Sequence, residues 1–290
     1  MLGRNAGLTA RMTLVLATVF VTLAAAITGL ASLFFVLPSW WPLWGVILLG
    51  LGYSVVDQYI GAEKRLLEIA QARVVSEREE PELYRLVERV SGMFDLPSPQ
   101  VASADAEIPS GFVVGTRRRR AIVAVGRDMR RRLDPEELEA VLAHELAHLA
   151  NRDAVVMTIA GLPRAIGLEL FAGERIWLWY FLWPFGLVLY GWGALLTRII
   201  SRYREYAADA GAALATGRPE TVMSALEKLA DEVERIPHRD LRQVDALNPF
   251  FIVSSRRRPR RLELLDDHPR LEKRLAVLAE IARGMGRPVS

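Results

Sequence analysis

The chain of 290 residues contains no cysteine and only four histidines. Without cysteine it forms no disulfide bond and has no thiolate to act as a nucleophile or a metal ligand. Any metal ion that it binds must therefore be held by histidine, aspartate or glutamate side chains. The lack of disulfides is also consistent with a domain that faces a reducing compartment.

Charge and hydrophobicity are segregated along the chain. Hydrophobic residues make up 51% of the sequence and the mean hydropathy is +0.18, although 24% of the residues are charged. The net charge of +3 is small, but many arginines occur in the runs Arg117–Arg120, Arg130–Arg132 and Arg256–Arg261. Binding sites for single-stranded nucleic acid place aromatic side chains among the basic ones, and these runs contain none. We therefore expect the runs to contact anionic lipid headgroups and not nucleic acid.

Four long apolar segments predict two membrane hairpins. Met12–Leu37 is long enough to cross a bilayer as a helix and too long for a signal peptide. Ser39–Val56 provides the second crossing, and Ala154–Ala172 and Ile176–Leu196 form the second hairpin. Arg164 lies near the middle of the third segment, where an arginine costs about 2.5–3.5 kcal/mol unless it faces protein or water.

The strongest functional signal is the sequence His-Glu-Leu-Ala-His at residues 144–148. Histidines four positions apart on a helix project from one face, so His144 and His148 can reach a single ion. Glu145 would then lie beside a metal-bound water and accept its proton. Asp134–Glu137 supplies an N-cap, a proline at the first helical position and a capping box. The alternative, a structural pair of histidines on a core helix, is disfavoured because two of only four histidines flank a glutamate at this spacing.

A catalytic zinc ion takes three protein ligands and leaves one position for water. We predict Glu205 as the third ligand, because it follows the last apolar segment on a helical pattern. Asp209 shares its face, four positions later, and is expected to orient a ligand histidine. Arg202 lies about one turn earlier on the same side. Asp153 competes as third ligand, but it lies only five residues after His148, where a continued helix would direct it elsewhere. The alternative for the Glu205 segment is an exposed helix with Arg–Glu pairs.

These motifs resemble the HtpX family of membrane zinc metalloproteases, which is related to the CAAX prenyl endopeptidases. Five features carry the resemblance: the residue 144–148 motif, Ser201-Arg202, Glu205 with Ala208-Asp209, Asn248-Pro249-Phe250 and His268-Pro269. The resemblance implies that His144, His148 and Glu205 bind one Zn²⁺ and that Glu145 is the catalytic base. It also implies a cytosolic catalytic domain that acts on damaged membrane proteins.

Two further groups are candidates for the site. A tetrahedral oxyanion needs a donor beyond the metal, for which we consider His268, Arg202, Tyr203 and Tyr206. Packing or helix capping before Pro269 is the alternative role for His268.

A predicted strand is the second group. Phe112, Val113 and Val114, or the partner strand Ala121–Val125, are candidates for pairing with an extended substrate at a sheet edge. A plain hairpin in a small sheet is the alternative.

The proposed ligands also determine the expected topology. Because His148 and Glu205 must meet at one ion, the apolar region between them crosses the membrane an even number of times. The N-terminal hairpin also crosses twice, so both termini lie on the catalytic side. Lys and Arg flank the spans mainly on that side, which the positive-inside rule places in the cytoplasm of a multi-pass cell (inner) membrane protein.

The predicted fold class is a mainly α membrane protein with two transmembrane hairpins and a zincin-like α+β catalytic domain. The expected divisions are the N-terminal hairpin (1–60), the first catalytic part with a small sheet and the zinc helix (61–153), the second hairpin (154–197) and the second catalytic part (198–290). Helices are also expected at Glu63–Met93 and Pro219–Val233, with a last helix from His268-Pro269 to Gly284.

The predicted function is zinc-dependent hydrolysis of peptide bonds in misfolded or damaged membrane proteins. Expected partners are polypeptide substrates and membrane lipids. A dedicated CAAX-type or signal-peptide-clearing endopeptidase stays open, as does a membrane scaffold that keeps zinc only for folding. The carboxylate of Glu145 weighs against the scaffold, because a structural metal site does not require it. A protease acting inside the bilayer is disfavoured by three glutamates just before the motif: Glu136, Glu137 and Glu139.

Overall fold

A computed structural model describes residues 6–36, 45, 49, 52–53, 66–104, 111–115, 118–172, 179–235 and 268–287. The described residues form two compact units. The first contains those between Glu63 and Val155 and from Ser201 onward, and the second contains those between Arg4 and Ala62 and from Val156 to Ile200.

The first unit is built on a mixed four-stranded sheet with the order β1-β2-β4-β3. The strands are β1 (Ala72–Val74), β2 (Gln100–Ala104), β3 (Gly111–Val114) and β4 (Ile122–Gly126). β1 is antiparallel to β2, β2 is parallel to β4, and β3 is antiparallel to β4. Every residue of the inner strand β4 is buried. The two strands predicted at Phe112–Val114 and Ala121–Val125 are therefore present as β3 and β4, with bounds that differ by one residue.

Helices cover this sheet and build the main core of the unit. They are α2 (Pro81–Met93), the short α3 (Arg127–Arg132), α4 (Pro135–Ala150), α7 (Pro219–Arg235) and α8 (Leu271–Gly284). α4 packs against α2, α7 and β3, and α7 packs against α8. Fully buried side chains such as Val87, Val123, Leu142 and Leu229 hold these elements together. The helix of the histidine motif is thus the central element of the unit.

One predicted helix, Glu63–Met93, is wrong as a single element. Gln71 adopts a positive φ of 49°, β1 follows directly, and α2 begins only at Pro81. Proline has no backbone N–H and is tolerated in the first helical turn, so Pro81 starts a helix instead of lying inside one. The Glu79 carboxylate accepts hydrogen bonds from the backbone and hydroxyl of Ser76 and fixes the turn before it.

The start of α4 is fixed to α7 by charge. Glu137 accepts the backbone N–H of Asp134 at 3.0 Å, as the predicted capping box requires. Lys228 and Ser224 of α7 donate to the same carboxylate at 2.7 Å each. Burial raises the pKa of Glu137, but these three hydrogen bonds outweigh it and the pKa is lowered overall. The charged form of Glu137 is therefore stabilised, and this contribution is lost as the pH falls through the lowered pKa.

The second unit contains α1 (Ala6–Val36) and the parts of α5 (Asp153–Ala172) and α6 (Trp179–Thr216) that lie between Val156 and Ile200. Most of the large exposed hydrophobic side chains among the described residues belong to it, including Leu14, Phe20, Val188 and Trp192. Many exposed apolar side chains in one unit are expected where a protein meets lipid.

In the described part of the chain, one helical segment is long and apolar enough to cross a membrane, namely Trp183–Thr216 of α6. Met12–Ala26 of α1 is a shorter apolar segment. The predicted crossing at Ser39–Val56 lies almost entirely outside the described residues. The number of crossings and the hairpins stay predictions. The helix of the last predicted crossing does not end at Leu196, because α6 continues without a break to Thr216.

Within the second unit, glycines let α5 and α6 approach closely. A Cβ atom added at Gly167 would lie 2.3 Å from the backbone nitrogen of Tyr190, and one at Gly193 would lie 2.3 Å from that of Arg164. The Arg164 guanidinium lies 5.7 Å from the centre of the Tyr190 ring. Arg164 therefore has an aromatic partner within the protein. Contact with protein lowers the free-energy cost of placing an arginine in an apolar membrane segment.

We expect Gly167→Ala to lower the stability of the full chain by about 1–3 kcal/mol, since the backbones must move apart. Gly161 lies on the same helix, and a Cβ there would meet no atom within 4 Å. Gly161→Ala should leave stability unchanged or raise it slightly, because alanine favours helix. Thermal unfolding of both variants in detergent tests the packing. Equal melting temperatures would show that the helices do not approach closely.

Candidate metal centre and active site

The two motif histidines lie one turn apart on α4. Their ring centroids are 4.8 Å apart and the ring planes are almost perpendicular, at 88°. His144 is buried, and the side chain of His148 is 15% exposed. Both rings can therefore direct a nitrogen toward one point while solvent reaches that point from the side of His148.

Glu205 of α6 lies opposite the two histidines. Its Oε2 is 3.6 Å from Nε2 of His144, and its Oε1 is 3.6 Å from Nε2 of His148. Ligand atoms of the three residues all lie within 4.8 Å of one another, the one such group found among the described residues. The three residues predicted as ligands from the sequence are thus brought together.

The donor atoms and their spacing fit a zinc ion. Two ligand atoms about 2.0–2.2 Å from one ion at a tetrahedral angle lie about 3.4 Å apart. The two 3.6 Å separations are close to this value, whereas they are too long for hydrogen bonds. His144 Nε2 and Glu205 Oε2 are buried without a hydrogen-bond partner among the described residues. Buried polar atoms are normally satisfied, so these atoms indicate a ligand between them.

A buried aspartate–arginine pair supports His144 from behind. Nδ1 of His144 lies 2.9 Å from Oδ1 of Asp209, as the predicted orienting role requires. Arg274 of α8 donates to both oxygens of Asp209, at 2.7 and 2.6 Å, and its Nη1 lies 3.7 Å from Oε2 of Glu205. Arg274 is 1% exposed. No local pattern in the sequence points to Arg274, because 65 residues separate it from Asp209.

A second pair of the same kind supports His148. Asp153 lies 2.6 Å from Nδ1 of His148, and Nε of Arg204 lies 3.1 Å from the same carboxylate oxygen. Asp153 is therefore on the side of the His148 ring away from Glu205. This position is not that of a third metal ligand. The helical spacing predicted that Asp153 would point elsewhere, but α4 ends at Ala150 and Arg152 adopts a positive φ of 57°. That turn brings Asp153 back toward the ring.

Burial and charge set the proton affinities of the site. Burial opposes protonation of His144, but the negative carboxylates of Asp209 and Glu205 outweigh it and raise the pKa of His144 to about 9. Burial raises the pKa of Glu145 to about 8, although a hydrogen bond from the backbone of Val113 acts in the opposite direction. A bound cation favours the neutral imidazole and the ionised carboxylate, so metal binding releases protons and strengthens as the pH rises.

The other predicted donors lie near the centre to different degrees. His268 is buried, and its Nδ1 lies 3.4 Å from Oε2 of Glu205. Its place beside the third ligand is compatible with the predicted catalytic role. Arg202 is half-buried on α6, and its role stays a prediction. Arg204 and Arg274 form ion pairs with Asp153 and Asp209, respectively.

The predicted substrate strand is the edge strand of the sheet. Among the strands that the structure describes, β3 pairs only with β4, whereas β4 lies between β2 and β3. The alternative that β4 binds a substrate is wrong, since both of its edges are occupied. Phe112 and Val114 bury their side chains, and the backbone N–H of Val113 donates to the Glu145 carboxylate. The edge strand therefore lies directly beside the predicted base.

Two histidines one turn apart, a distant glutamate and a further glutamate between the histidines are the arrangement of a zinc-dependent peptidase. Residues 77–282 match the model of peptidase family M48, and the chain belongs to this family. The predicted resemblance to HtpX is also confirmed. The HtpX protease homolog of Moorella thermoacetica is 39% identical over 301 residues, covering 98% of this chain and 97% of the relative.

Further relatives agree. HtpX homolog 1 of Streptomyces coelicolor is 37% identical over 270 residues, with 88% of both chains covered. HtpX homolog 2 of Methanosarcina mazei is 36% identical over 254 residues, covering 82% of this chain and 85% of the relative. A crystal structure of S. mikatae Ste24p resembles the chain with a TM-score of 0.55 at 18% identity, covering 93% of this chain and 67% of that one. This last likeness concerns the fold alone. M48 peptidases are zinc metalloproteases, and the protein is a membrane metalloprotease of this family.

Proposed function

We propose that the protein is a zinc-dependent endopeptidase that hydrolyses misfolded or damaged membrane proteins on the cytosolic side of the inner membrane. The observation that carries the proposal is the position of Glu205. It reaches within 3.6 Å of two histidines that flank a buried glutamate, and so completes a three-ligand zinc site with a base beside it.

The chain's own residues then have defined tasks. Bound zinc supplies a water of lowered pKa and polarises the scissile carbonyl. Glu145 accepts the proton of the attacking water and passes it to the leaving amine. Asp209 and Asp153 keep Nε2 of the two histidines directed inward by holding Nδ1.

The edge position of β3 is consistent with broad substrate specificity. Pairing with β3 would use the substrate's main chain, which is the same in every polypeptide. Strand addition requires an extended segment, so unfolded regions are bound and folded domains are not. A damaged membrane protein with an unfolded cytosolic segment meets this requirement.

His268 is the proposed donor to the developing oxyanion, and His268→Phe should lower kcat by about 10²–10³-fold. The measurement is turnover of an unfolded casein together with zinc content of the same sample. Because His268 also touches Glu205, retained zinc is needed for the interpretation. Wild-type kinetics in a zinc-loaded variant would remove His268 from the mechanism.

The proposed activity is tested with the full chain in detergent. Removing metal with a chelator should abolish cleavage of unfolded casein, and one equivalent of zinc should restore it. Cleavage of a prenylated CAAX peptide alone would favour the dedicated-endopeptidase alternative. Zinc binding without cleavage of either substrate would favour the scaffold.

The cytosolic location of the site is also proposed here, on the charge asymmetry of the loops. Because the chain has no cysteine, a single cysteine at the exposed Arg85 reports the side of the first unit without background. Labelling by an impermeant thiol reagent should require disruption of the cell membrane. Labelling of intact spheroplasts would place the site on the opposite side.

Membrane lipids are proposed partners of an arginine cluster in the first unit, formed by Arg119, Arg120 and Arg152. All three side chains are exposed, and none pairs with a carboxylate in the described part of the chain. Arg118 donates to the carbonyl of Ala150, which places its turn at the end of α4, near Arg152. Replacing the cluster with glutamine should reduce phosphatidylglycerol retained by the purified protein. Unchanged retention would show that these three arginines do not bind lipid.

A further inference from the structure

His148 is held by a pair of charged residues that are not metal ligands. Asp153 accepts a hydrogen bond of 2.6 Å from Nδ1 of His148 and is 2% exposed. Nε of Arg204 lies 3.1 Å from the same Asp153 oxygen, and the Arg204 side chain is 15% exposed. A buried carboxylate is costly unless it is paired, and Asp153 has both a ring N–H and a guanidinium as partners.

The pair joins three helices at the metal centre. His148 lies on α4, Asp153 is the first residue of α5, and Arg204 directly precedes the ligand Glu205 on α6. The same Asp153 oxygen therefore lies within 3.1 Å of both the His148 ring nitrogen and the Arg204 guanidinium. His148 is also the more exposed of the two histidines, with less packing to hold its ring.

The two histidines are supported in the same way from different elements. His144 has Asp209 and Arg274, whereas His148 has Asp153 and Arg204. In each case an aspartate oxygen lies within 3 Å of Nδ1, and Nε2 is the nitrogen that faces Glu205. A hydrogen bond from the remote ring nitrogen to a carboxylate fixes the tautomer and makes the other nitrogen a better ligand.

We propose that Asp153 and Arg204 are positioning residues that fix the tautomer and orientation of His148 for metal binding. The inference rests on the proposed zinc site and assigns roles to two residues outside the ligand set. Asp153 acts on the ring directly. Arg204 acts through Asp153, so its removal should have the smaller effect.

The test measures metal binding, which does not depend on turnover. Purified full-length chain in detergent is stripped of metal, and zinc is titrated against a fluorescent chelator. Asp153→Asn should weaken zinc binding by about 10–100-fold, the range found when such outer partners are removed. Arg204→Gln should weaken it less, and Arg204→Lys, which keeps the charge, should restore part of the loss. The visible spectrum of the Co²⁺-loaded Asp153→Asn chain should also change, because the geometry of one ligand changes.

An ion pair between Glu139 of α4 and Arg218 provides a matched control. Glu139 is buried and pairs with Nη2 of Arg218 at 2.7 Å, and neither residue belongs to the metal centre. Arg218→Gln should lower the melting temperature without changing zinc affinity or the Co²⁺ spectrum. A purely structural role for Asp153 and Arg204 would give the same pattern in their variants and would overturn the proposal.

The outcomes separate this proposal from the one on which it rests. If the wild type binds no zinc, the proposed function fails and the positioning role fails with it. If the wild type binds zinc and both Asp153→Asn and Arg204→Gln bind it equally well, only the positioning role fails. If Asp153→Asn does not fold, Arg204→Gln and Arg204→Lys still test the proposal. A loss of zinc affinity with glutamine that lysine partly restores is expected only for a positioning pair.

Discussion

Glu145→Gln should lower the rate of peptide hydrolysis by about 10²–10⁴-fold, the usual contribution of a general base. The amide has nearly the same shape as the carboxylate but cannot accept a proton from the attacking water. Glu145 is not one of the three clustered ligands, so the variant should bind zinc like the wild type. Cleavage of unfolded casein and zinc content are measured on the same samples.

Glu136 provides the matched control for this substitution. It lies in the first turn of the same helix, but its side chain is 68% exposed. Glu136→Gln should keep wild-type turnover. A zinc-loaded Glu145→Gln chain that cleaves at the wild-type rate would show that Glu145 is not the base.

Arg274→Met should cost about 3–5 kcal/mol of stability, the range for breaking one side of a buried ion pair. The substitution leaves the fully buried Asp209 without its guanidinium and removes positive charge from beside Glu205. Methionine has a similar length, so the loss would come mainly from charge and hydrogen bonding and not from a cavity. Chemical unfolding of the full chain in detergent measures the difference.

The exposed pair of Arg73 and Glu79 is a suitable comparison. Its atoms are 2.7 Å apart, as close as those of Arg274 and Asp209, but the side chains are 69% and 45% exposed. Exposed pairs contribute about 0–1 kcal/mol, so Arg73→Met should have a small effect. Equal losses in the two variants would contradict the view that Arg274 neutralises a buried acidic cluster.

The sequence predicts the metal ligands because their chemistry is local or nearly so. His144 and His148 are related by one helical turn, and Glu205 and Asp209 by another, so each pair is visible as a spacing. Family membership agrees with the predicted resemblance, and the structure brings the three proposed ligands to one point. The roles of the individual residues rest on the experiments above.

The residues that hold the ligands in place are harder to predict from the sequence, because only tertiary contacts bring them to the metal centre. Asp153 reaches His148 only because Arg152 adopts a left-handed conformation, which a helical extrapolation does not contain. Arg274 meets Asp209 across the core from another helix. The false helix at Glu63–Met93 has a related cause, since β1 is stabilised by its partner strand β2 and not by its own three residues.

The most direct test of the metal centre is the zinc content of the wild type, Glu145→Gln and Glu205→Ala after metal removal, addition of zinc and dialysis. We expect one zinc ion per chain in the wild type and in Glu145→Gln, and almost none in Glu205→Ala, because Glu205 supplies the third ligand. Full zinc retention by a folded Glu205→Ala chain, or none in the wild type, would contradict the proposed site.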